Sequence, residues 1–188
     1  MPINQFTENA LADSLKKLMK LYPINHIHIQ MITDDCGVTR HTFYNHFKDI
    51  YDLLGWIYEH EIVENLENYC NYKSWSRGIL LVLEYTMENK LICLNTYRSL
   101  GRDHLEAFLY QVFYHVFDGV ITDISNIIAV DASFQEELSD FYANALMGVF
   151  ISWLKRGMKE EPQLIAARIE KIMKGQLITL LEDNQKTK

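Results

Sequence analysis

Apolar residues recur at intervals of three and four positions along most of the chain, which is the spacing of a helix with one buried face. The first stripe consists of Leu11, Leu15, Leu18 and Tyr22, and it ends before Pro23, a residue that helix interiors exclude. No segment shows the sustained alternation of apolar and polar residues that is typical of a half-buried strand. The chain is therefore predicted to be all-α.

These stripes predict about nine helices. They cover approximately residues 11–22, 29–36, 39–47, 49–66, 74–89, 91–99, 103–128, 133–157 and 162–180. The sequence Ser133-x-x-Glu136 has the spacing of a capping box and predicts the start of the eighth helix. Gly157 is expected to end that helix, and Pro162 suits the first turn of the ninth.

A short turn, Cys36-Gly37-Val38-Thr39, connects the second and third helices. Glycine permits the sharp reversal between them, and the Thr39 hydroxyl can cap the free N–H groups of the helix that follows. Two short helices joined in this way form a helix-turn-helix. Phe43 and Phe47 are four positions apart and are expected to face the core.

The sequence around this turn resembles the TetR family of bacterial transcription regulators. The resemblance is carried by Gly37-Val38-Thr39, by the run Thr42-Phe43-Tyr44-Asn45-His46-Phe47-Lys48, and by Leu53 and Leu54. It covers Leu11 to about Ile57 closely and returns more weakly from Gly148 to Arg168. It implies a three-helix, helix-turn-helix DNA-binding domain at residues 1–48, followed by a larger helical domain for effector binding and dimerisation at residues 49–188.

The resemblance also implies the partners of the chain. We expect a homodimer that binds double-stranded DNA at a palindromic operator, with a small-molecule effector or a protein coactivator as a further partner. No cofactor is expected. The N-terminus lacks the basic start and apolar stretch of a signal peptide, and no apolar run is long enough to span a membrane. A cytoplasmic location is therefore expected.

Polar side chains on and after the third helix have lengths that suit contacts with DNA bases and phosphates. Arg40 can form two hydrogen bonds with a guanine, and Thr42 can reach a base edge or a thymine methyl group. Tyr44, His46 and Lys48 lie further along and suit phosphates, which fix register rather than sequence. The resemblance implies one further DNA contact, at Gln30 in the preceding helix. The candidate DNA-binding residues are Gln30, Thr39, Arg40, His41, Thr42, Tyr44, His46 and Lys48.

The net charge limits how strongly this region can attract DNA. The chain carries 18 Lys and Arg against 25 Asp and Glu, a formal charge of −7 that by itself argues against a nucleic-acid partner. Residues 1–60 contribute only −2, with five basic and seven acidic side chains. Family members usually carry another lysine two positions after the one that Lys48 matches, and this chain has Ile50 there. We therefore expect weak non-specific DNA binding with a shallow dependence on salt.

Aromatic residues are concentrated between about Trp56 and Ile128. The resemblance implies that this region holds a small effector, and aromatic rings with a few polar groups could line such a pocket. The alternative, that aromatic stripes at helical spacing form core, is stronger from the residues alone. The candidate effector-pocket residues are Trp56, Tyr85, Tyr97, Phe108, Phe113 and His115.

The last two predicted helices have wide apolar faces. Two such helices that meet their symmetry mates would form a four-helix dimer interface, as the resemblance implies. The alternative is that these faces close the core of a monomer. The candidate interface residues are Phe134, Leu138, Phe141, Ala145, Val149, Trp153, Ile169, Met173 and Leu177.

No catalytic residue and no metal site is expected. His60-Glu61-x-x-Glu64 approaches a zinc motif, but it has Glu where the second His belongs. The sequence contains no P-loop, no nucleophile elbow and no dinucleotide-binding motif. The three cysteines are widely spaced and are expected to be reduced structural thiols. We therefore predict that the protein is not an enzyme.

The expected function is a repressor that a small-molecule effector releases from DNA. The chain also resembles the TetR branch that includes the dihydroxyacetone kinase operon activator, which works with a kinase-like protein coactivator. That narrower resemblance is carried by Thr42-Phe43-Tyr44-Asn45, Leu53, Leu54, Trp56, Ile57, Tyr72, Trp75, Glu88 and Asn89. An activator of this kind is therefore one alternative, and a helical protein-interaction module that does not bind DNA is another.

Overall fold

The structure, a computed structural model, describes residues 3–99, 101–128, 130–173 and 175–186. Within these ranges it contains ten α-helices, three short 3-10 helices and no β-strand, so the predicted all-α class is confirmed. The α-helices are α1 (Ile3–Met19), α2 (Ile29–Cys36), α3 (Arg40–Tyr44), α4 (Ile50–Ile62), α5 (Trp75–Glu88), α6 (Lys90–Tyr97), α7 (Arg102–Ser125), α8 (Ala132–Lys155), α9 (Pro162–Met173) and α10 (Gln176–Lys186). The 3-10 helices are Ile24–His26, Val63–Asn65 and Glu67–Tyr69.

The helix-turn-helix forms as predicted. α2 ends before Gly37, whose backbone lies in the left-handed region at φ 72°, where glycine has no steric cost. The Thr39 hydroxyl accepts a hydrogen bond from the N–H of Thr42 at 3.1 Å and so caps α3. The prediction that Pro162 lies in the first turn of a helix is also confirmed, because α9 begins there.

Several boundaries differ from the prediction. α1 begins at Ile3 rather than near Leu11 and ends at Met19 rather than Tyr22, and α3 ends at Tyr44 rather than Phe47. The expected ninth helix is two helices, because Gly175 adopts a left-handed φ of 81° and separates α9 from α10; the described residues therefore contain ten α-helices rather than nine. The capping box at Ser133 is wrong, since α8 begins at Ala132 with Asp131 as its N-cap. α4 ends at Ile62, and 3-10 turns follow it instead of further α-helix.

The chain divides into two compact units. The first unit comprises Met1–Glu61 and Asn89–Phe108, and the second comprises Ile62–Glu88 and Leu109–Lys188. The first unit includes α6 because that helix packs against α1. Its core is built from aliphatic and aromatic side chains of α1, α2, α3 and α4. Those with the least exposed surface include Leu11, Leu15, Ile32, Phe43, Leu53, Leu54 and Ile57.

The Asn95 side chain joins α6 to the segment between α1 and α2. Its amide nitrogen donates to the carbonyl oxygens of Met19 at 2.9 Å and Tyr22 at 2.6 Å. Its side-chain oxygen accepts a hydrogen bond from the N–H of Ile24 at 2.8 Å. Both carbonyl groups lie at or beyond the end of α1, where helical N–H donors no longer reach them. One side chain therefore satisfies three backbone groups.

Aromatic contacts and one close backbone approach hold the second unit together. The Phe117 ring on α7 lies 5.6 Å from the ring of Trp75 on α5 and 5.1 Å from that of Tyr142 on α8, measured between centroids. α9 packs along α5. A Cβ atom on Gly119 would lie 2.7 Å from both the Cβ and the carbonyl oxygen of Cys70, so only glycine allows α7 to approach this segment.

The cysteines are structural in character. All three are free thiols, and burial raises the pKa of Cys93 to about 12 and that of Cys70 to about 11. Both thiols are therefore protonated and unreactive near neutral pH. In the part of the chain that the structure describes, no group of His, Cys, Asp or Glu side chains is arranged to hold a metal ion. None of the described helices is long and apolar enough to cross a membrane.

Replacing Asn95 by Ala tests its role in the first unit. The substitution leaves two carbonyl groups and one N–H group without their partner, which we expect to lower the free energy of unfolding by about 1–3 kcal/mol. Urea denaturation followed by circular dichroism measures the change. Asn126→Ala, which alters an exposed asparagine near the end of α7, is the control and should change stability by less than about 0.5 kcal/mol. Equal stability of the Asn95 variant and the wild type would refute the assignment.

Candidate nucleic-acid interface

α3 is too short to be stable alone, since it contains five residues, and isolated helices need roughly 12–15 residues even to be marginal in water. Tertiary packing must therefore fix it. Phe43 in α3 has no exposed surface, and Phe47, just after α3, is 4% exposed. Their ring centroids lie 5.9 Å apart, and the Phe47 ring lies the same distance from that of Trp56 on α4. These contacts attach α3 to the core of the first unit.

The turn before α3 is tied by backbone and side-chain hydrogen bonds. The N–H of Val38 donates to the carbonyl oxygen of Thr33 at 3.0 Å, which closes the reversal after α2. The hydroxyl groups of Thr39 and Thr42 lie 2.9 Å apart, within hydrogen-bonding distance. Ser14 of α1 donates its hydroxyl proton to the carbonyl oxygen of Ile32 at 3.0 Å. These hydrogen bonds hold α1 to α2 and fix the turn from which α3 begins.

Packing on one side of α3 leaves its polar residues at the surface. Arg40 and His41 are exposed, and Thr42 is half-buried. Tyr44 is 58% exposed, with its ring edge-on to that of Phe43 at 5.6 Å. A five-residue helix with one buried phenylalanine therefore presents a cation, an imidazole, a hydroxyl group and a phenol together.

The other candidate DNA-binding residues surround α3, and they differ in whether their side chains already have partners. Thr39 and Lys48 are exposed. His46 is half-buried, with its Nδ1 atom 3.2 Å from a carboxylate oxygen of Glu8 on α1. Gln30 is exposed on α2 and donates its side-chain amide to Asp34, one turn later. Among the residues that the structure describes, the Lys48 side chain has no partner, whereas those of His46 and Gln30 do.

Ion pairs divide the basic residues of the first 60 positions into two groups. Lys16 pairs with Asp13 and Glu61, and Lys17 pairs with Asp35. The other three, Lys20, Arg40 and Lys48, form no ion pair with any residue that the structure describes. Two of these three lie in or just after α3. The positive charge that is available to a partner is therefore concentrated there, although the net charge of the segment is negative.

The six candidate effector-pocket residues are divided equally between the two units. In the first unit, Trp56 and Phe108 line one cleft, and Tyr97 lies under the guanidinium of Arg102 at 5.0 Å. In the second unit, Tyr85 is half-buried on α5. Phe113 is buried against Phe150, and His115 is exposed, 3.2 Å from Glu67. Of the six, the structure brings Trp56 and Phe108 together in one cavity.

Most of the candidate dimer residues are buried within the second unit itself. Each of this group has at most 8% of its surface exposed: Leu138, Trp153, Ile169, Met173 and Leu177. Phe141 is 62% exposed, Ala145 and Val149 are exposed, and Phe134 is half-buried. The candidate interface residues therefore do not share one face. α8 has two apolar faces, one of which packs inside the second unit.

Two apolar residues of α9 that are not among the candidate interface residues are exposed. Leu164 is 61% exposed and Ile172 is 57% exposed. They are eight positions apart, with Arg168 midway, and so they share one helix face. The sequence carried this signal, but the stronger stripe of Ile165 and Ile169 hid it. Arg168 also lines a groove with Ala145, Gly148 and Val149 of α8, so the exposed faces of α8 and α9 are adjacent.

A family model and a protein of known sequence both match the chain. The TetR-type family model described as "Transcriptional regulator C-terminal region" matches residues 73–175. The chain is 28% identical over 145 residues to the HTH-type dhaKLM operon transcriptional activator DhaS of Lactococcus lactis subsp. lactis. That alignment covers 77% of this chain and 71% of the relative.

Two solved structures share the fold. The dihydroxyacetone kinase operon activator DhaS is similar with a TM-score of 0.71 at 22% identity, covering 94% of this chain and 96% of that one. Native NalD, the secondary repressor of the MexAB-OprM multidrug efflux pump in Pseudomonas aeruginosa, is similar with a TM-score of 0.63 at 17% identity. That match covers 90% of this chain and 95% of NalD.

Replacing Phe43 by Ala should destabilise the helix-turn-helix more than any surface change in it. Removing a fully buried phenylalanine costs about 3–5 kcal/mol in comparable cores. Tyr44→Ala is the matched control, because its neighbouring ring is mostly exposed and its loss should cost less than about 1 kcal/mol. Thermal and urea unfolding of the two variants measure the difference. Similar losses in both would mean that Phe43 does not fix α3.

Proposed function

The chain belongs to the TetR family of transcriptional regulators, and we propose that it represses transcription by occupying a palindromic operator until a small-molecule effector releases it. TetR-family regulators bind DNA and act as dimers. The assignment of residues 1–48 to DNA binding is part of this proposal. So are the roles of individual residues.

The concentration of unpaired positive charge at α3 carries the proposal. Arg40 and Lys48 are exposed cations that form no ion pair with described residues, while two lysines of α1 are neutralised within the chain. Phosphates attract such free cations most strongly, because no intramolecular ion pair has to break. The side of the first unit that carries α3 is therefore the favoured side for DNA.

We assign different tasks to the polar residues of this surface. Arg40 at the start of α3 suits a guanine, since helices of this motif read bases with their N-terminal residues. Thr42 is less suited to a base edge than Arg40, because it is half-buried. Tyr44 and Lys48 are exposed and suit phosphates. His46 is assigned to positioning, since it already contacts Glu8 of α1.

The exposed faces of α8 and α9 are the proposed dimer surface. Phe141, Val149, Leu164 and Ile172 are large apolar residues that a monomer would leave in water. Pairing two copies through this surface about a twofold axis would bury them and form a four-helix interface. The same axis would relate two copies of α3, and hence the two half-sites of a palindromic operator.

Activation instead of repression is the second candidate, and one observation favours it. The relative that is 28% identical over 145 residues is named as a transcriptional activator. A reporter gene behind the bound DNA separates the two functions. Expression that rises when the protein is absent supports a repressor, whereas expression that falls supports an activator working with a coactivator.

Replacing Arg40 by Ala should weaken specific DNA binding about tenfold or more, because a bidentate contact with guanine contributes about 1–3 kcal/mol. Fluorescence anisotropy with a duplex from upstream of the protein's own coding region measures the affinity. Arg77→Ala removes the same charge from an exposed site in the second unit and should have little effect. Equal binding by the wild type and both variants would refute α3 as the reading helix, whereas no binding by any of the three would favour the protein-interaction module.

Replacing Phe141 by Glu should dissociate the dimer at micromolar concentration, because two carboxylates would be buried about the twofold axis without partners. Sedimentation equilibrium measures the oligomeric state. Ile127→Glu is the matched control, since Ile127 is 86% exposed in the same unit but lies outside the proposed surface. A monomeric wild type, or a Phe141 variant that stays dimeric, would contradict the proposed interface.

A further inference from the structure

A cleft of about 640 Å³ lies in the first unit, beside the start of α4. We name it the α4 cleft and propose that it binds a small organic cation that carries an aromatic or aliphatic body. Its walls come from three places: the residues that follow α3, one face of α4, and residues 104 and 108 of α7. Its volume is in the range of small-molecule sites, about 300–1,000 Å³.

Aromatic rings form much of the wall. Phe47, Tyr51, Trp56 and Phe108 all line the α4 cleft. The Tyr51 ring is stacked on that of His104, with the planes 6° apart and the centroids separated by 4.9 Å. Aromatic faces attract cations through the negative charge of the ring system, and several rings around one cavity are the usual means of binding quaternary ammonium groups. The wall therefore favours a cation with an apolar body.

The charges around the cleft favour the same class of ligand. Asp49, Asp52 and Glu59 supply three carboxylates, and Lys48 is the one lysine or arginine among the lining residues. His46 and His104 are the other titratable groups there, besides the Tyr51 phenol. Without charge on the imidazoles, the lining is net negative, so an organic anion is disfavoured.

The three carboxylates differ in whether they already accept hydrogen bonds. Asp49 accepts hydrogen bonds from the N–H groups of Tyr51 and Asp52, and Asp52 accepts one from the N–H of Lys48. These two carboxylates therefore satisfy backbone N–H groups around the start of α4. The exposed Glu59, two turns later, has no hydrogen bond or ion pair with any residue that the structure describes. We assign Glu59 as the main counter-charge for the ligand.

A glycine in the middle of α4 is an independent sign that the cleft is kept open. Gly55 lies on the same helix face as Tyr51 and Glu59, and it lines the cleft. Glycine is unfavourable inside a helix compared with alanine. Yet a Cβ atom on Gly55 would meet no neighbouring heavy atom within 4 Å, so packing does not require the glycine. A side chain there would project into the cavity that the ligand needs.

A ligand in the α4 cleft would contact residues of the proposed DNA-binding surface. This step rests on the proposed function. Phe47 helps to fix α3, and Lys48 is a proposed phosphate contact; both line the cleft. A ligand that touches them is therefore in a position to change DNA affinity. Binding of the cation itself requires no DNA and can be measured on the protein alone.

Isothermal titration calorimetry of the full chain with benzyltrimethylammonium tests the proposal. Benzyl alcohol and benzoate share the ring but are neutral and anionic, and we expect only the cation to bind. Gly55→Leu should weaken binding about tenfold or more by filling the cleft, while its melting temperature should not fall, because leucine favours the helix. Glu59→Gln should weaken binding about two- to fivefold.

Glu88→Gln, the same charge change at an exposed position of the second unit, is the control and should leave binding unchanged. No binding of the cation would overturn the proposal, and so would equal binding of all three probes. Binding that survives Gly55→Leu and Glu59→Gln would place the ligand elsewhere and would also overturn it. None of these outcomes bears on DNA binding, so a failure here is distinct from a failure of the proposed regulator.

Discussion

The burial of Phe43 is the interaction on which the proposed activity depends. Five residues of helix have no stability of their own, so the position of α3 is set by what Phe43 and Phe47 contact. The cap at Thr39 and the left-handed turn at Gly37 then fix where the helix starts. Because the buried rings hold the inner side of α3, its outer side remains available for polar residues. Arg40, His41 and Tyr44 of α3 are thereby left exposed at the surface that we propose to meet DNA.

The basic residues of the first unit are few, and which of them are paired with acidic residues matters more than their number. Acidic partners neutralise Lys16 and Lys17 on α1, whereas Arg40 and Lys48 stay unpaired among the described residues. Net charge alone therefore misjudges what the segment can bind. The same arrangement limits non-specific binding, since few counterions are released when few free cations meet phosphate. Specific contacts must accordingly supply more of the affinity than they do in a strongly basic protein.

Local signals allowed the first sixty residues to be predicted well. Gly37, Thr39 and the pair of phenylalanines are short-range features whose effect depends little on distant residues, and the structure has each where the sequence placed it. The later helices were harder, because α8 is apolar on two faces and periodicity cannot tell which face meets the core. The candidate interface residues of α8 were for that reason taken from both faces: Phe141 is exposed, whereas Leu138 and Trp153 are buried. The α4 cleft could not be predicted, since residues of α4 and α7 meet there only through tertiary packing.

Selection from a random pool of DNA duplexes shows whether α3 reads bases, as we propose. Wild-type protein and Arg40→Ala would each be used to enrich bound sequences, which are then compared position by position. We predict a twofold-symmetric motif for the wild type, and loss of preference at one position in each half-site for the variant. Identical motifs from both proteins, or no enriched motif from the wild type, would contradict it.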